Sequence, residues 1–257
     1  MNPLLDLSAR PIIAHRGASG SAPENTMPAF QRALQEGADA FELDVRLTAD
    51  GVPVVLHDPL LDRTTDQPGR LIDTSHLDLQ KFDAGARFTP DRGRSYPFRG
   101  RGIRVPELAE VIRAFPEVPL IVEIKEVAAQ AAVRDVVVEA GAAARCVLAA
   151  EHHGALELFR NAAFSVAASA AEIGSLYRAV LLGRVPSSVE YRLLSVPRRY
   201  RGLPVPTRPF VAAARRLECP VHVWTVNQPA VARRLWDAGV CGIITNFPGL
   251  MHGEWAH

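Results

Sequence analysis

The chain has little from which to build a disulfide framework or a zinc site. Its three cysteines, Cys146, Cys219 and Cys241, cannot all pair within one molecule, and none belongs to a C-x-x-C arrangement. All three read as small core residues. Lysine is nearly missing as well: Lys81 and Lys125 are the two lysines among 29 basic residues, a compositional bias toward arginine. Net charge is close to nil at +1, which gives no ground for a nucleic-acid partner. No basic region followed by an apolar run opens the sequence, and no stretch is apolar and long enough to span a bilayer. Stable membrane insertion is therefore not expected, and a cytoplasmic protein is the simplest account. Internal repeats and low-complexity tracts are missing too, apart from Ala-rich helical stretches. Oligomeric state leaves no mark on the sequence.

What is present is a chain of 257 residues, 48% hydrophobic, enough for one large core and a usual size for a single barrel of alternating strands and helices. Its unusual chemistry crowds into residues 12–57. Phe41, Leu43 and Val45 alternate with Glu42 and Asp44, and the period of two on a strand sends both acids to one face. Neighbouring carboxylates resist joint ionisation unless a cation or hydrogen-bond donors compensate. The connection that follows, Thr48-Ala49-Asp50-Gly51, is too short for a crossover between parallel strands and ends in an Asp-Gly turn signal. The chain must fold back, so residues 54–57 are expected to run antiparallel beside 41–46. His57 then arrives roughly opposite Leu43 and Asp44, beside the acids and facing His15. His15 itself ends the apolar run Ile12-Ile13-Ala14 and is followed at once by Arg16-Gly17, the pattern of a strand stopping at a polar site.

Between these pieces a helix is expected, capped by Asn25 or Thr26, with Pro28 in its first turn, Phe30, Ala33 and Leu34 on one face, and Gly37 at its end. Its free amides and Arg16 can both face an anion. Residues 58–104 lose all periodicity. Pro59, Pro68, Pro90 and Pro97 interrupt them, and Arg87, Arg92, Arg94, Arg99, Arg101 and Arg104 crowd the second half, mostly as a solvated basic surface. So long a stretch reads as an inserted lid or small subdomain over the site. A helix bearing Leu108, Val111, Ile112 and Phe115 follows, then a strand over 120–125 that puts Glu123 and Lys125 on one face. Helices are expected at 131–139, 155–161, 172–182, 209–217 and 229–238. Strands are expected at 146–150, 164–168, 191–196, 221–226 and 242–245. Leaving out the hairpin arm, eight parallel strands remain, which specifies an α/β fold: a (β/α)8 TIM barrel with an insertion subdomain after the second strand, one domain over 1–257 with the insertion at about 58–104. The loop 198–206 follows a strand, where barrel enzymes place substrate-recognising groups. Trp224, in another strand, suits a pocket wall and a core position equally well.

Glu42, Asp44 and Glu123 together make an oxygen-rich site for one hard divalent cation, Mg2+ or Ca2+. Arg16 and Lys125 add positive charge for a phosphate, and His15 and His57 titrate near neutrality and can share acid and base roles.

In order along the chain, His15-Arg16-Gly17, Pro23-Glu24-Asn25-Thr26, Glu42-x-Asp44, Asp50-Gly51, His57-Asp58, Glu123-Ile124-Lys125, Trp224-Thr225-Val226-Asn227 and Gly242-Ile243-Ile244-Thr245 resemble the glycerophosphodiester phosphodiesterase family. The resemblance spans His15 to Pro248. It implies release of sn-glycerol 3-phosphate and an alcohol from small glycerophosphodiesters. The two histidines would be acid and base, the Glu-x-Asp pair with Glu123 the metal ligands, and Arg16, Asn25, Lys125 and Trp224 the substrate-binding groups. Two departures stand out: Ala149-Ala150-Glu151 where many relatives have a Ser-Phe pair, and Asn246 where an aspartate is common. The first bears on substrate preference. Rival readings are a phospholipase D-like relative acting on lysophospholipids, and a non-catalytic barrel that binds phosphorylated ligands. The latter is expected to lack one or more of His15, His57, Glu42, Asp44 and Glu123, and all five are present.

Overall fold

The structure is a computed structural model that describes residues 2–252. Strand β1 (Ile12–His15) leads through helix α1 (Met27–Gln35) to β2 (Ala40–Leu47), which turns back into the short arm β3 (Pro53–Val55). Helix α2 (His76–Leu79) lies in the irregular stretch beyond, and α3 (Leu108–Ala114) returns the chain to β4 (Leu120–Ile124). Then follow α4 (Gln130–Glu139), β5 (Cys146–Ala149), β6 (Ser165–Val166), α5 (Ala170–Leu181), β7 (Leu194–Pro197) and the small ribbon β8 (Arg199–Tyr200) and β9 (Leu203–Pro204). The chain ends on α6 (Arg208–Arg216), β10 (Val221–Trp224), α7 (Pro229–Asp237), β11 (Gly242–Thr245) and α8 (Pro248–His252).

Eight of these strands form one parallel sheet in the order β6-β5-β4-β2-β1-β11-β10-β7. Its two edges meet through the parallel bridge between Ala167 and Leu193, flanked by the hydrogen bonds Ala168 N to Leu193 O and Arg192 N to Val166 O. The sheet thus closes as the (β/α)8 barrel that the strand count requires.

Alternation along each strand separates two cores. Leu4, Ile13, Ala40, Ile121, Val147 and Ile244 fill the barrel axis. Leu4 comes from the 3-10 turn Pro3–Leu5, and its carbonyl oxygen lies 2.9 Å from Nε2 of the fully buried His222. Outward-facing residues pack beneath the helices, and Phe30, Phe41 and Phe115 form a triangle of rings with centroids 5.1, 5.2 and 6.1 Å apart. Phe41, Leu43 and Val45 all belong to this outer layer, so Glu42 and Asp44 share the axial face with Ala40.

The hairpin has the expected sense and register. Val45 pairs with Val55, Arg46 with Val54 and Leu47 with Pro53, all antiparallel, and Leu56 N donates to Asp44 O at 3.0 Å. Gly51 takes φ +80° at the turn, a conformation that costs glycine nothing. Beyond the arm, residues 58–104 are mostly irregular. Leu61, Leu71, Leu79 and Ile103 gather with Val54 and Leu56 of the arm into an apolar cluster separate from the barrel cores. Arg87, Arg92, Arg94, Arg99, Arg101 and Arg104 are all exposed, Arg99 lying over the Tyr96 ring.

Several local expectations need correction. The stretch expected as a helix at 155–161 is a 3-10 helix, His153–Phe159, in which only Ala155, Leu156 and Phe159 are buried, too short an apolar face to hold a longer α-helix. The strand expected at 164–168 has only two ladder residues, Ser165–Val166, extended by the closing bridge. The loop at 198–206 carries the ribbon β8 and β9, whose Pro204 sits on a free edge where its missing N–H costs no ladder bond. Thr26 stands at the N-cap of α1 but does not cap it. Its hydroxyl donates to Pro23 O at 2.6 Å instead, within the tight turn made by Asn25 at φ +56°.

Candidate active site

The site is built on the carboxyl ends of the strands. Glu42 and Asp44 rise along the axial face of β2, and the parallel register of β2 with β4 sets Glu123 directly beside Asp44. One oxygen from each of the three carboxylates lies within 4.8 Å of the others. Asp44 is fully buried and Glu42 nearly so, while Glu123 is half-exposed. Lys125 Nζ lies 2.8 Å from both Asp44 Oδ1 and Glu123 Oε1, and Arg16 Nε lies 3.0 Å from Asp44 Oδ2. Lys125–Asp44 and Arg16–Asp44 are close charge contacts rather than aligned hydrogen bonds. Asn25 Nδ2 donates to Asp44 Oδ2 at 2.9 Å.

These contacts divide the acids. Burial, then the charges of Asp44 and Glu123, push the Glu42 carboxyl well above the usual range. Burial also raises Asp44, but Lys125, Arg16 and His57 outweigh it and hold this carboxyl below its ordinary value. Burial opposes the charge on Lys125, yet Asp44 and Glu123 more than restore it. Arg16 and Lys125 offset the upward push on Glu42 only in part, as does the Arg16 amide donating to Glu42 Oε2 at 3.2 Å, so three carboxylates share two fixed cations and a deficit of positive charge remains. An all-oxygen donor set with that deficit fits a divalent cation of the Mg2+ or Ca2+ kind.

The loop after β1 is tied to the same strand. Arg16, at φ +59°, donates its N–H to Glu42 O at 2.8 Å, and Asn25 N donates to Arg16 O at 2.9 Å. Gly17, at φ +78°, has no alternative, because a Cβ there would lie 2.6 Å from the Ala29 carbonyl carbon. The turn therefore delivers the Arg16 and Asn25 side chains to Asp44. His15, the last residue of β1, has Nε2 3.9 Å from Glu42 Oε2 and Nδ1 2.7 Å from Asn246 Oδ1. Asn246 is itself fixed, its N–H donating to Asn227 Oδ1 at 2.9 Å. Burial, then the neighbouring charge of Arg16, lower the pKa of His15 and favour its neutral form.

His57 reaches the site by leaving the ladder. Strict alternation beyond β3 would put it on the outer face with Val55, but the strand stops at Val55, and Arg46 Nε donates to His57 O at 2.7 Å. The imidazole is close enough for its charge to act on Asp44, and its Nδ1 lies 2.6 Å from Asp58 Oδ1. Asp58 is also held by Arg63. Burial raises this carboxyl, but the hydrogen bonds from Arg63 and His57 bring it down to about 2. Arg63 grips Glu24 with both Nη atoms, at 2.6 and 2.8 Å, and Glu24 in turn accepts from Arg16 Nη1 at 2.9 Å. Trp224, the last residue of β10, is 42% exposed at this same end of the barrel, which removes it from the core. Its carbonyl oxygen accepts from Arg198 N at 3.2 Å, linking it to the ribbon β8 and β9, but it makes no contact with the acid cluster among the described interactions.

The structure thus brings seven of the residues singled out in the sequence to one centre: His15, Arg16, Asn25, Glu42, Asp44, Glu123 and Lys125, with His57 at its edge. The sequence assigned no role to Glu24, Asp58, Arg63 or Asn246. Glu24 and Asp58 lie within quoted motifs, where their acidity was a usable signal. Arg63 had none.

Residues 15–250 match the Glycerophosphoryl diester phosphodiesterase family. A glycerophosphodiester phosphodiesterase of Caldanaerobacter subterraneus is 32% identical over 244 residues, covering 92% of this chain and 94% of that protein. One from Bacillus altitudinis is 30% identical over 250 residues, covering 92% and 94%. Among solved structures, the glycerophosphoryl diester phosphodiesterase domain of a Mycobacterium tuberculosis protein superposes with a TM-score of 0.86 at 22% identity, over 97% of this chain and 100% of that one. A glycerophosphodiester phosphodiesterase from Agrobacterium tumefaciens gives 0.75 at 26% identity, over 95% and 99%. With the family matched over residues 15–250 and a relative 32% identical along nearly its whole length, the chain belongs to the glycerophosphoryl diester phosphodiesterase family.

Proposed function

We propose that the protein hydrolyses small glycerophosphodiesters to sn-glycerol 3-phosphate and an alcohol, using one divalent cation and the two histidines. The observation that carries this reading is the convergence of Glu42, Asp44 and Glu123 within 4.8 Å, beside Arg16, Lys125 and His15. Glu42, Asp44 and Glu123 would hold Mg2+ or Ca2+, which when bound supplies charge neutralisation at the phosphate oxygens. Arg16 and Lys125 face the same phosphate, Asn25 fixes Asp44, and Trp224 forms a wall of the mouth. His15, kept neutral, takes the proton of the attacking oxygen, whether of water or of an adjacent glycerol hydroxyl. As the new P–O bond forms, the bond to the leaving alcohol breaks; attack by water gives sn-glycerol 3-phosphate at once, whereas attack by the glycerol hydroxyl gives a cyclic phosphate that a water then opens to the same product. His57 donates the proton to that alkoxide, and the ionised Asp58 stabilises its imidazolium form. Residues 1–257 act in this reading as one barrel domain with 58–104 as its insertion. Three buried free cysteines suit a reducing compartment, in keeping with a cytoplasmic enzyme. Among the described residues, no helix is long and apolar enough to cross a membrane.

The test is turnover of glycerophosphocholine with added Mg2+ or Ca2+ and in excess chelator, with metal removal verified. Activity should disappear in chelator and return on re-addition. Full turnover without metal refutes the role given to the three carboxylates. A lysophospholipid assayed in parallel should turn over far more slowly, and the opposite ranking would assign the site to the lipid substrate.

A further inference from the structure

Arg63 lies in the irregular segment beyond the hairpin, outside the barrel strands, yet its guanidinium spans two carboxylates from different parts of the site. Its Nη1 and Nη2 donate to Glu24 Oε2 and Oε1 at 2.6 and 2.8 Å, and its Nε donates to Asp58 Oδ2. Glu24 also holds Arg16, and Asp58 also holds His57 through Oδ1 at 2.6 Å. The contacts run without a break from Asp44 through Arg16, Glu24, Arg63 and Asp58 to His57. Each carboxylate in the middle of the chain has both oxygens engaged, which fixes the plane of the group. A guanidinium presents its donors in fixed directions, so one arginine can set the relative placement of two carboxylates as a compact ammonium cannot. Arg63 is about half exposed, with a side-chain accessibility of 47%, so its value is geometric more than coulombic.

We infer that Arg63 is a positioning residue for His57: it clamps Asp58 against Glu24, holding the imidazole with Nδ1 on Asp58 and Nε2 free for the substrate. The same clamp ties the orientation of His57 to that of Arg16, the proposed phosphate-binding group. This rests on the catalytic role proposed above for His57. It makes the irregular segment a working part of the site through one side chain, and not only a cover over it.

The experiment compares Arg63→Met, Arg63→Lys, Asp58→Asn and the Asp58→Asn/Arg63→Met double variant, with Arg70→Met as control. Arg70 is an exposed arginine of the same segment paired only with Asp73 in the ion pairs described. Steady-state turnover of glycerophosphocholine is measured at saturating metal, together with melting temperature and the proton NMR signal of the His57 Nδ1–H. The His57→Ala variant identifies that signal by its loss. Removing the partner that orients a metal-ligating histidine typically costs about 10- to 100-fold, and the same scale is expected for an oriented acid–base histidine. Arg63→Met should lower kcat within that range with a smaller change in KM, and should move or broaden the His57 signal. Because Arg63 acts through Asp58, the double variant should be little worse than Asp58→Asn alone. Arg63→Lys should keep the melting temperature and still lose kcat several-fold, and Arg70→Met should match the wild type. Wild-type kcat in Arg63→Met or Arg63→Lys overturns the inference, and so do single losses that multiply in the double variant. If His57→Ala is inactive while Arg63→Met is normal, only this inference falls. If His57→Ala itself is fully active, the proposed catalytic role falls first.

Discussion

Lys125 sits where the proposed cation site should resent a fixed positive charge, and replacing it by methionine separates three effects that usually move together. Its ammonium lies 2.8 Å from two of the three acids grouped as cation ligands, one of them fully buried. Unit charges about 4 Å apart interact by about 4 kcal/mol at an effective dielectric of 20. About a third of that, kept after relaxation, equals the roughly 1.4 kcal/mol of a tenfold change in affinity. Lys125→Met should therefore bind Mg2+ or Ca2+ at least about tenfold more tightly. Without metal, the same variant leaves Asp44 buried beside fewer cations and should lose about 3 kcal/mol or more of stability, as when one partner of a buried pair is removed. Added metal should restore much of that loss. Turnover should nevertheless fall by about 100-fold or more at saturating metal, because a stabiliser of charge on the phosphate is gone. Calorimetric titration with the ion, melting curves with and without it, and kcat on glycerophosphocholine read the three effects separately. Unchanged metal affinity together with wild-type kcat would refute the reasoning and leave Lys125 a structural ion-pair partner.

Asn246→Asp places a full negative charge on Nδ1 of His15, opposing the burial and the Arg16 charge that now lower its pKa. The acid limb of the kcat/KM profile should move up by about one pH unit or more, and a limb that stays in place would show that His15 is not the base. His222 supplies a second pH effect, confined to stability. Burial lowers its pKa from the ordinary 6.5 to about 4, so between those values the unfolded chain binds the proton and the native state does not. Stability contributed by the neutral ring is complete above about pH 6.5 and is lost as pH falls toward 4, by about 3 kcal/mol in all. Urea titrations of wild type and His222→Asn across this range should show a flatter acid dependence in the variant, and parallel curves would contradict it.

What could be read in advance follows the periodicity of the chain. Glu42 and Asp44 were legible as a pair because a strand alternates, and Glu123 and Lys125 for the same reason. The hairpin was legible because Thr48 to Gly51 leaves no length for a crossover. His57 was placed near the acids, but its path was not, since the strand must end before it to free the ring from the outer face. The Glu24, Arg63 and Asp58 contacts bridge as many as 39 positions through a segment without any period, and no local rule connects such residues. Likewise the 3-10 form of residues 153–159 and the ribbon at 199–204 depend on packing and turn geometry rather than on a repeating apolar face.

The closure of the barrel is uneven. Seven of its joints are strand ladders, while β6 and β7 are joined by the single bridge between Ala167 and Leu193. A ring loosens at its thinnest joint, so amide exchange should reveal Ala168 and Arg192 opening before the ladders around Glu42 and Asp44. This seam lies across the barrel from β1 and β2, and the crossover that spans it carries Leu181 and Leu182 exposed to solvent. Of all the places to give the chain new ends, that crossover is the one where a cut spares every residue of the acid cluster and severs the least sheet. A protein divided there should reassemble from two pieces, the first carrying the acid cluster and both histidines, the second completing the ring and returning Asn246 to His15.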